Sequence, residues 1–174
     1  MSEIVHIVVM GVAGSGKTTV AQLLAERLGR PYAEADDFHP PENVAKMSAG
    51  TPLTDEDRWP WLRSIRDWLS ARTRAGESAV VTCSALKVVY RDLLREAEGR
   101  VRFVQLSAGA PLLEDRMAHR AGHFMPTSLL ASQLATLEPL TDAEDGVIVS
   151  VELPPDGVAD EALAALGLLP EATR

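Results

Sequence analysis

Residues 4–18 read Ile4-Val5-His6-Ile7-Val8-Val9-Met10-Gly11-Val12-Ala13-Gly14-Ser15-Gly16-Lys17-Thr18. The first seven form a near-continuous β-branched run, the pattern of a strand covered on both faces. The last eight fit G-x-x-x-x-G-K-[ST] in full. Helical spacing begins at Lys17, with Val20, Leu23, Leu24 and Arg27 recurring, and Gly29 is placed to be a left-handed C-terminal cap. Strand, glycine loop and helix therefore follow in the order that a phosphate-binding turn needs. Glycines let the backbone curl so that successive N–H groups point at phosphate oxygens, and the helix adds the positive end of its dipole. Gly11, Val12, Ala13, Gly14, Ser15, Gly16, Lys17 and Thr18 are thus the expected nucleotide contacts. Lys17 is expected to bridge the β- and γ-phosphates, and the Thr18 hydroxyl to bind Mg²⁺.

Outward from this loop, strands and helices alternate. Tyr32 and Ala33 read as a short strand. Pro40-Pro41 opens a helix through Met47, and Thr54 caps a longer one to about Arg74, with Asp57 three residues on. Ala79–Thr82 and Val101–Leu106 read as strands on either side of a helix over Val88–Ala97. Two helices (Pro111–Arg120 and Pro126–Leu137), a strand (Val147–Val151) and a helix (Val158–Leu166) complete the chain. Val12-Ala13, Gly122–Met125 and Pro139–Gly146 read as looped or mobile segments. The pattern predicts an α/β fold, a three-layer parallel sheet with helices on both faces. One domain is expected over 1–174, with the phosphate loop at 11–18, a substrate-side helical region at about 39–75 and a lid at about 112–127.

Composition bounds the function. The 174 residues carry a formal net charge of -8, which argues against a general nucleic-acid binder. The single cysteine, Cys83, excludes an intramolecular disulfide and a Cys-rich zinc site. No apolar run is long enough for a membrane span. The N-terminus carries Glu3 where a signal peptide would be basic, so a cytoplasmic enzyme or binding protein is expected. Lysine is rare, at Lys17, Lys46 and Lys87 against 14 Arg, and Lys17 lies in the phosphate-loop motif.

The loop's neighbours narrow the class. The only asparagine is Asn43, followed by Val44, so the base-reading Asn-Lys-x-Asp of a GTPase is missing. The strand Ala79–Thr82 ends in Cys83-Ser84 without the carboxylate that a motor ATPase places there. Acids appear instead at Glu34, Asp36 and Asp37, after the second strand, which suits a small-molecule kinase. A carboxylate beyond the γ-phosphate can take a proton from an attacking hydroxyl or hold Mg²⁺ through water.

Four stretches resemble the phosphate-loop gluconokinases. They are Gly11–Thr18; Asp36-Asp37-Phe38-His39-Pro40 with Asn43 and Lys46-Met47; Pro52–Leu62, which contains Asp55-Glu56-Asp57-Arg58-Trp59-Pro60-Trp61; and Cys83-Ser84-Ala85-Leu86-Lys87 with Tyr90-Arg91-Asp92. Gly122–Met125, Gln133 and Thr136–Pro139 resemble the family's later region. The resemblance implies a P-loop kinase fold with a lid, and transfer of the ATP γ-phosphoryl group to D-gluconate. It also implies a homodimer and no nucleic-acid or membrane partner. The family often shows Asp-x-Asp where this chain has Glu34-Ala35-Asp36, so Glu34 with Thr18 is the expected Mg²⁺ pair.

Within that frame Lys17, Asp36 and Arg120 are the expected catalytic residues. Asp36 would orient and deprotonate the attacking hydroxyl; its other assignment is to the metal's surroundings, and Asp37 competes for the same place. His39, Arg58, Ser84, Lys87, Arg91 and His123 are the expected acceptor contacts. Arg91 has a competing assignment to a surface ion pair with Asp92 or Glu96. Arg116 and Arg120 share one helix face, one to stack on adenine and one to meet the γ-phosphate, against pairing with Glu114 and Asp115. His6 is expected to be a satisfied core residue. Other acceptors, such as shikimate or another sugar acid, and a non-catalytic ATP-binding domain remain the alternatives.

Overall fold

A computed structural model describes residues 3–12, 14–51, 53–108, 112 and 128–168. Five parallel strands form one sheet in the order β2-β3-β1-β4-β5. They are β1 (Val5–Met10), β2 (Tyr32–Glu34), β3 (Val80–Thr82), β4 (Arg100–Ser107) and β5 (Gly146–Ser150). The helices are α1 (Lys17–Leu28), α2 (Pro41–Ser48), α3 (Asp55–Arg74), α4 (Val88–Leu94), α5 (Ser128–Thr136) and α6 (Pro155–Leu166), with a 3-10 turn over Ala35–Phe38.

The three layers follow from side-chain alternation in buried strands. Val8, Met10, Val81 and Phe103 face one core, which Trp61, Leu62, Ile65 and Leu69 of α3 and Leu94 of α4 complete. Ile7, Val9, Val80 and Val104 face the other, against Val20 and Leu24 of α1 and Val158, Ala162 and Leu166 of α6. Because all strands run the same way, their C-terminal ends share one edge. β1 continues to β2 on one side and β3 continues to β4 on the other. The crevice between the adjacent β1 and β3 is therefore where such sheets bind ligands.

Local chemistry explains most boundaries. Gly29 ends α1 in the left-handed conformation, φ 64°. Thr54 and Asp57 form the reciprocal capping box that starts α3. Two boundaries differ from expectation by three residues. α4 stops at Leu94, three residues early, because the Glu96 and Ala97 N–H groups turn to the carbonyls of Leu93 and Leu94 in tighter i→i+3 bonds. α6 starts three residues early at Pro155, since proline needs no N–H partner in a first turn. Val12 is buried at 3% exposure rather than loose. In the 139–146 loop, the Leu140 N–H donates to Gln105 Oε1 at 2.8 Å.

His6 is fully buried. Its Nδ1 accepts from the Ala79 N–H at 3.0 Å, so its proton lies on Nε2, 2.7 Å from Thr73 Oγ1. It is a satisfied core histidine. Among the described residues no helix is long and apolar enough to cross a membrane.

Candidate active site

The phosphate loop bridges β1 and α1. Gly11 has φ 149°, and a Cβ there would stand 2.9 Å from Ser15 Oγ and 3.0 Å from the Leu106 carbonyl oxygen. Gly16 precedes α1 with φ 90°. It brings no capping side chain and the first turn holds no acid, so the leading N–H groups stay available for an anion. Ser15 Oγ donates to the Val12 carbonyl at 2.7 Å, and Lys17 Nζ donates to the same oxygen at 3.1 Å. The ammonium thus already lies across the mouth of the loop. Ala13 lies outside the described residues.

Beside the loop, Thr18 Oγ1 donates to Glu34 Oε1 at 2.7 Å. The other carboxylate oxygen, Glu34 Oε2, is buried without a hydrogen-bond partner among the described residues. Burial raises the Glu34 pKa, against the bond from Thr18. An orphaned buried carboxylate oxygen beside a hydroxyl is a hard-oxygen donor set that a divalent cation would satisfy. Among the described residues no three His, Cys, Asp or Glu side chains group as metal ligands. That fits Mg²⁺, which relies on waters and phosphates more than on a protein cage.

Asp36 and Asp37 are both exposed in the 3-10 turn that follows β2. The Asp36 charge adds to the burial that raises the pKa of Glu34 and of Cys83. Cys83 itself is buried and its thiol is pushed up to about 12 by burial, so it is inert.

Beyond the loop, Asp55, Glu56, Arg58, Lys87, Tyr90 and Thr136 line a cleft of about 340 Å³. Lys87 Nζ donates to Asp55 Oδ1 at 3.1 Å, and the Tyr90 hydroxyl donates to the same oxygen. Arg58 lies over the Tyr90 ring, its Cζ 5.3 Å from the centroid, and its Nε is buried without a partner among the described residues. Its charge also depresses the pKa of His39. The Ser84 carbonyl accepts from the Gly11 N–H at 3.4 Å, which ties the end of β3 to the phosphate loop.

His39 is held by its neighbours. It stacks on Trp61 with centroids 4.1 Å apart. Asn43 Nδ2 donates to the Asp57 carbonyl at 2.9 Å and lies 3.2 Å from His39 Nδ1. Nδ1 must then accept, and the imidazole proton sits on Nε2. Burial first, then the Arg58 charge, lowers the His39 pKa to about 4. Its stabilising contribution is therefore whole above pH ~6.5, where the unfolded imidazole is neutral, and is lost as pH falls toward 4. Unfolding free energies of the wild type and His39→Gln, measured at pH 7 and pH 5, should differ less at pH 5. A gap that widens on acidification contradicts this assignment.

Over 157 residues the chain is 54% identical to the gluconokinase of Gluconobacter oxydans (strain 621H), covering 90% of this chain and 88% of that one. The chain belongs to the gluconokinase family. A family model described as an AAA domain matches residues 7–140. Among solved structures, an unliganded sugar kinase from Janibacter sp. HTCC2649 is 53% identical, with a TM-score of 0.91 and 96% of each chain covered. A gluconokinase from Sinorhizobium meliloti 1021 is 50% identical, with a TM-score of 0.86, 99% of this chain and 97% of that one covered.

In this gluconokinase-family chain the fold brings Lys17, Thr18, Glu34 and Ser84 to one sheet edge, with Asp36 in the turn that follows β2. It brings Arg58, Lys87 and His39 together around α3. Arg91 departs from both assignments made from sequence. Its side chain is fully buried, and Nε and Nη2 fork onto Glu144 at 2.6 and 2.9 Å while Nη1 donates to the Ala85 carbonyl at 2.7 Å. Among the described residues its ion pair is with Glu144 and not with Asp92 or Glu96. Trp59 packs edge-on against Tyr90, with centroids 5.7 Å apart. Arg116, Arg120 and His123 lie outside the described residues. Sequence reasoning passed over Asp55, which looks like one more acid favourable to a helix N-terminus.

Proposed function

We propose that this chain transfers the γ-phosphoryl group of ATP to the terminal hydroxyl of D-gluconate, giving 6-phospho-D-gluconate. The relationship to the Gluconobacter gluconokinase, 54% identity over 90% of the chain, carries this reading. The cleft supports it. Gluconate is a short polyol with a carboxylate at one end, so it needs cations at one end and a base at the other. Arg58 and Lys87 supply the cations, Arg with a fork suited to a carboxylate. Neutral His39 offers its Nε2–H to a hydroxyl, and Ser84 lies between these groups and the phosphate loop.

Transfer then follows from placement. Lys17 leaves the Val12 carbonyl and takes the β- and γ-phosphates, lowering the cost of charge that builds on the transferred group. Asp36 accepts the proton of the attacking hydroxyl. Thr18 and Glu34 would hold Mg²⁺, which supplies charge neutralisation between the phosphates when bound. We assign Arg120 to the γ-phosphate, Arg116 to adenine and His123 to the acceptor.

The test is an acceptor panel with ADP release as readout. Gluconate should be turned over well, and glucose, which lacks the carboxylate, and shikimate poorly. Equal turnover of all three, or of none, contradicts the reading.

A further inference from the structure

The turn from Ser84 to Lys87 joins the two halves of the site. Each of its carbonyls is held. The Ser84 oxygen accepts from the Gly11 N–H at 3.4 Å, the Leu86 oxygen from the Glu138 N–H at 2.7 Å, and the Lys87 oxygen from the Tyr90 and Arg91 N–H groups at 3.0 and 3.2 Å. Those partners are backbone. The Ala85 oxygen accepts from a side chain, Arg91 Nη1, at 2.7 Å. Ala85 is also, among the described residues, the one non-glycine with positive φ, at 45°. Alanine disfavours that conformation, and it persists only where the surroundings impose it.

Arg91 is built for this. Its guanidinium is fixed from behind by the fork on Glu144, whose side chain is itself only 7% exposed. Glu144 also accepts from Arg95 and from the Thr141 N–H at 3.2 Å. A planar fork can hold a carboxylate with one edge and present its remaining nitrogen to a carbonyl, and an ammonium cannot span the two.

We propose that Arg91 is a positioning residue for the acceptor: by holding the Ala85 carbonyl it keeps the Ser84–Lys87 turn in the shape that aims Ser84 and Lys87 into the cleft. It acts through that turn and touches neither ATP nor acceptor. The inference rests on the gluconate reading for its kinetic consequence and on the structure alone for its effect on the turn.

Arg91→Lys keeps a positive charge for Glu144 while giving up the grip on Ala85. Misplacing the turn should lower kcat/KM for gluconate about tenfold to a hundredfold, carried mainly by KM, with ATP affinity nearly unchanged. Hydrogen exchange at the backbone amides of Gly11 and Glu138, which donate to the Ser84 and Leu86 carbonyls, should quicken by more than at amides of the central strands. Ala85→Gly added to Arg91→Lys should recover part of the gluconate KM, because glycine adopts the left-handed turn unaided. Unchanged exchange at those amides overturns the proposal whatever the acceptor is. So does a parallel loss for ATP and gluconate that follows the melting temperature. A wild type inactive on gluconate, with exchange changed as expected, sinks the gluconate reading and leaves the positioning role standing.

Discussion

Lys17→Ala should cut kcat by about 10²–10³-fold or more, the cost of removing one preorganised donor from developing charge. The structure shows why the loss falls on chemistry. Lys17 Nζ lies across the loop on the Val12 carbonyl, 3.1 Å away, at the start of a helix whose first turn is otherwise free of acids and caps. Backbone N–H groups can still cradle phosphate in the variant, but no side-chain charge sits between β- and γ-oxygens. Alanine suits the helix well, so the melting temperature should hold. A variant with wild-type kcat contradicts the loop assignment; one that unfolds means that Lys17 serves the fold.

Asp36→Asn should lower kcat by about 10²–10⁴-fold, the span of general acid–base catalysis, and leave ATP affinity nearly unchanged. The substitution keeps size and hydrogen bonding and removes the ability to take a proton. Asp36 is exposed in the turn after β2, with its charge felt at Glu34 and Cys83, so its replacement should leave the fold intact. Asp37→Asn, one residue further along, should be nearly silent. If ATP affinity falls and kcat holds, Asp36 belongs to the metal. If Asp37→Asn carries the larger loss, the two acids exchange roles.

The fold was legible because its signals are local. The β1 run, the glycine loop, the Gly29 cap and the Thr54–Asp57 capping box are each read within a few residues. The candidate site was legible in its geometry where one motif sets it, as where Thr18 and Lys17 flank the glycine loop and Thr18 meets Glu34. It was not legible where partners are far apart in the chain. Arg91 has Asp92 and Glu96 as neighbours, yet its partner is Glu144, 53 residues on. Asp55 finds Lys87 and Tyr90 at separations of 32 and 35 residues. Charge pairing along one helix is a weak attraction, and a buried fork-to-carboxylate pair overrides it once folding brings the two together. The neutral state of His39 was hidden for the same reason, since the burial and the Arg58 charge that set it come from α3.

Phosphate should move from ATP to the primary alcohol of a sugar acid. A proton-coupled phosphorus spectrum of the product formed from ATP and gluconate reads this outcome. It should show ADP and one new phosphomonoester split into a triplet by the two protons of the C6 methylene. A doublet, from a secondary carbon, or no new ester while ATP is consumed, would contradict it.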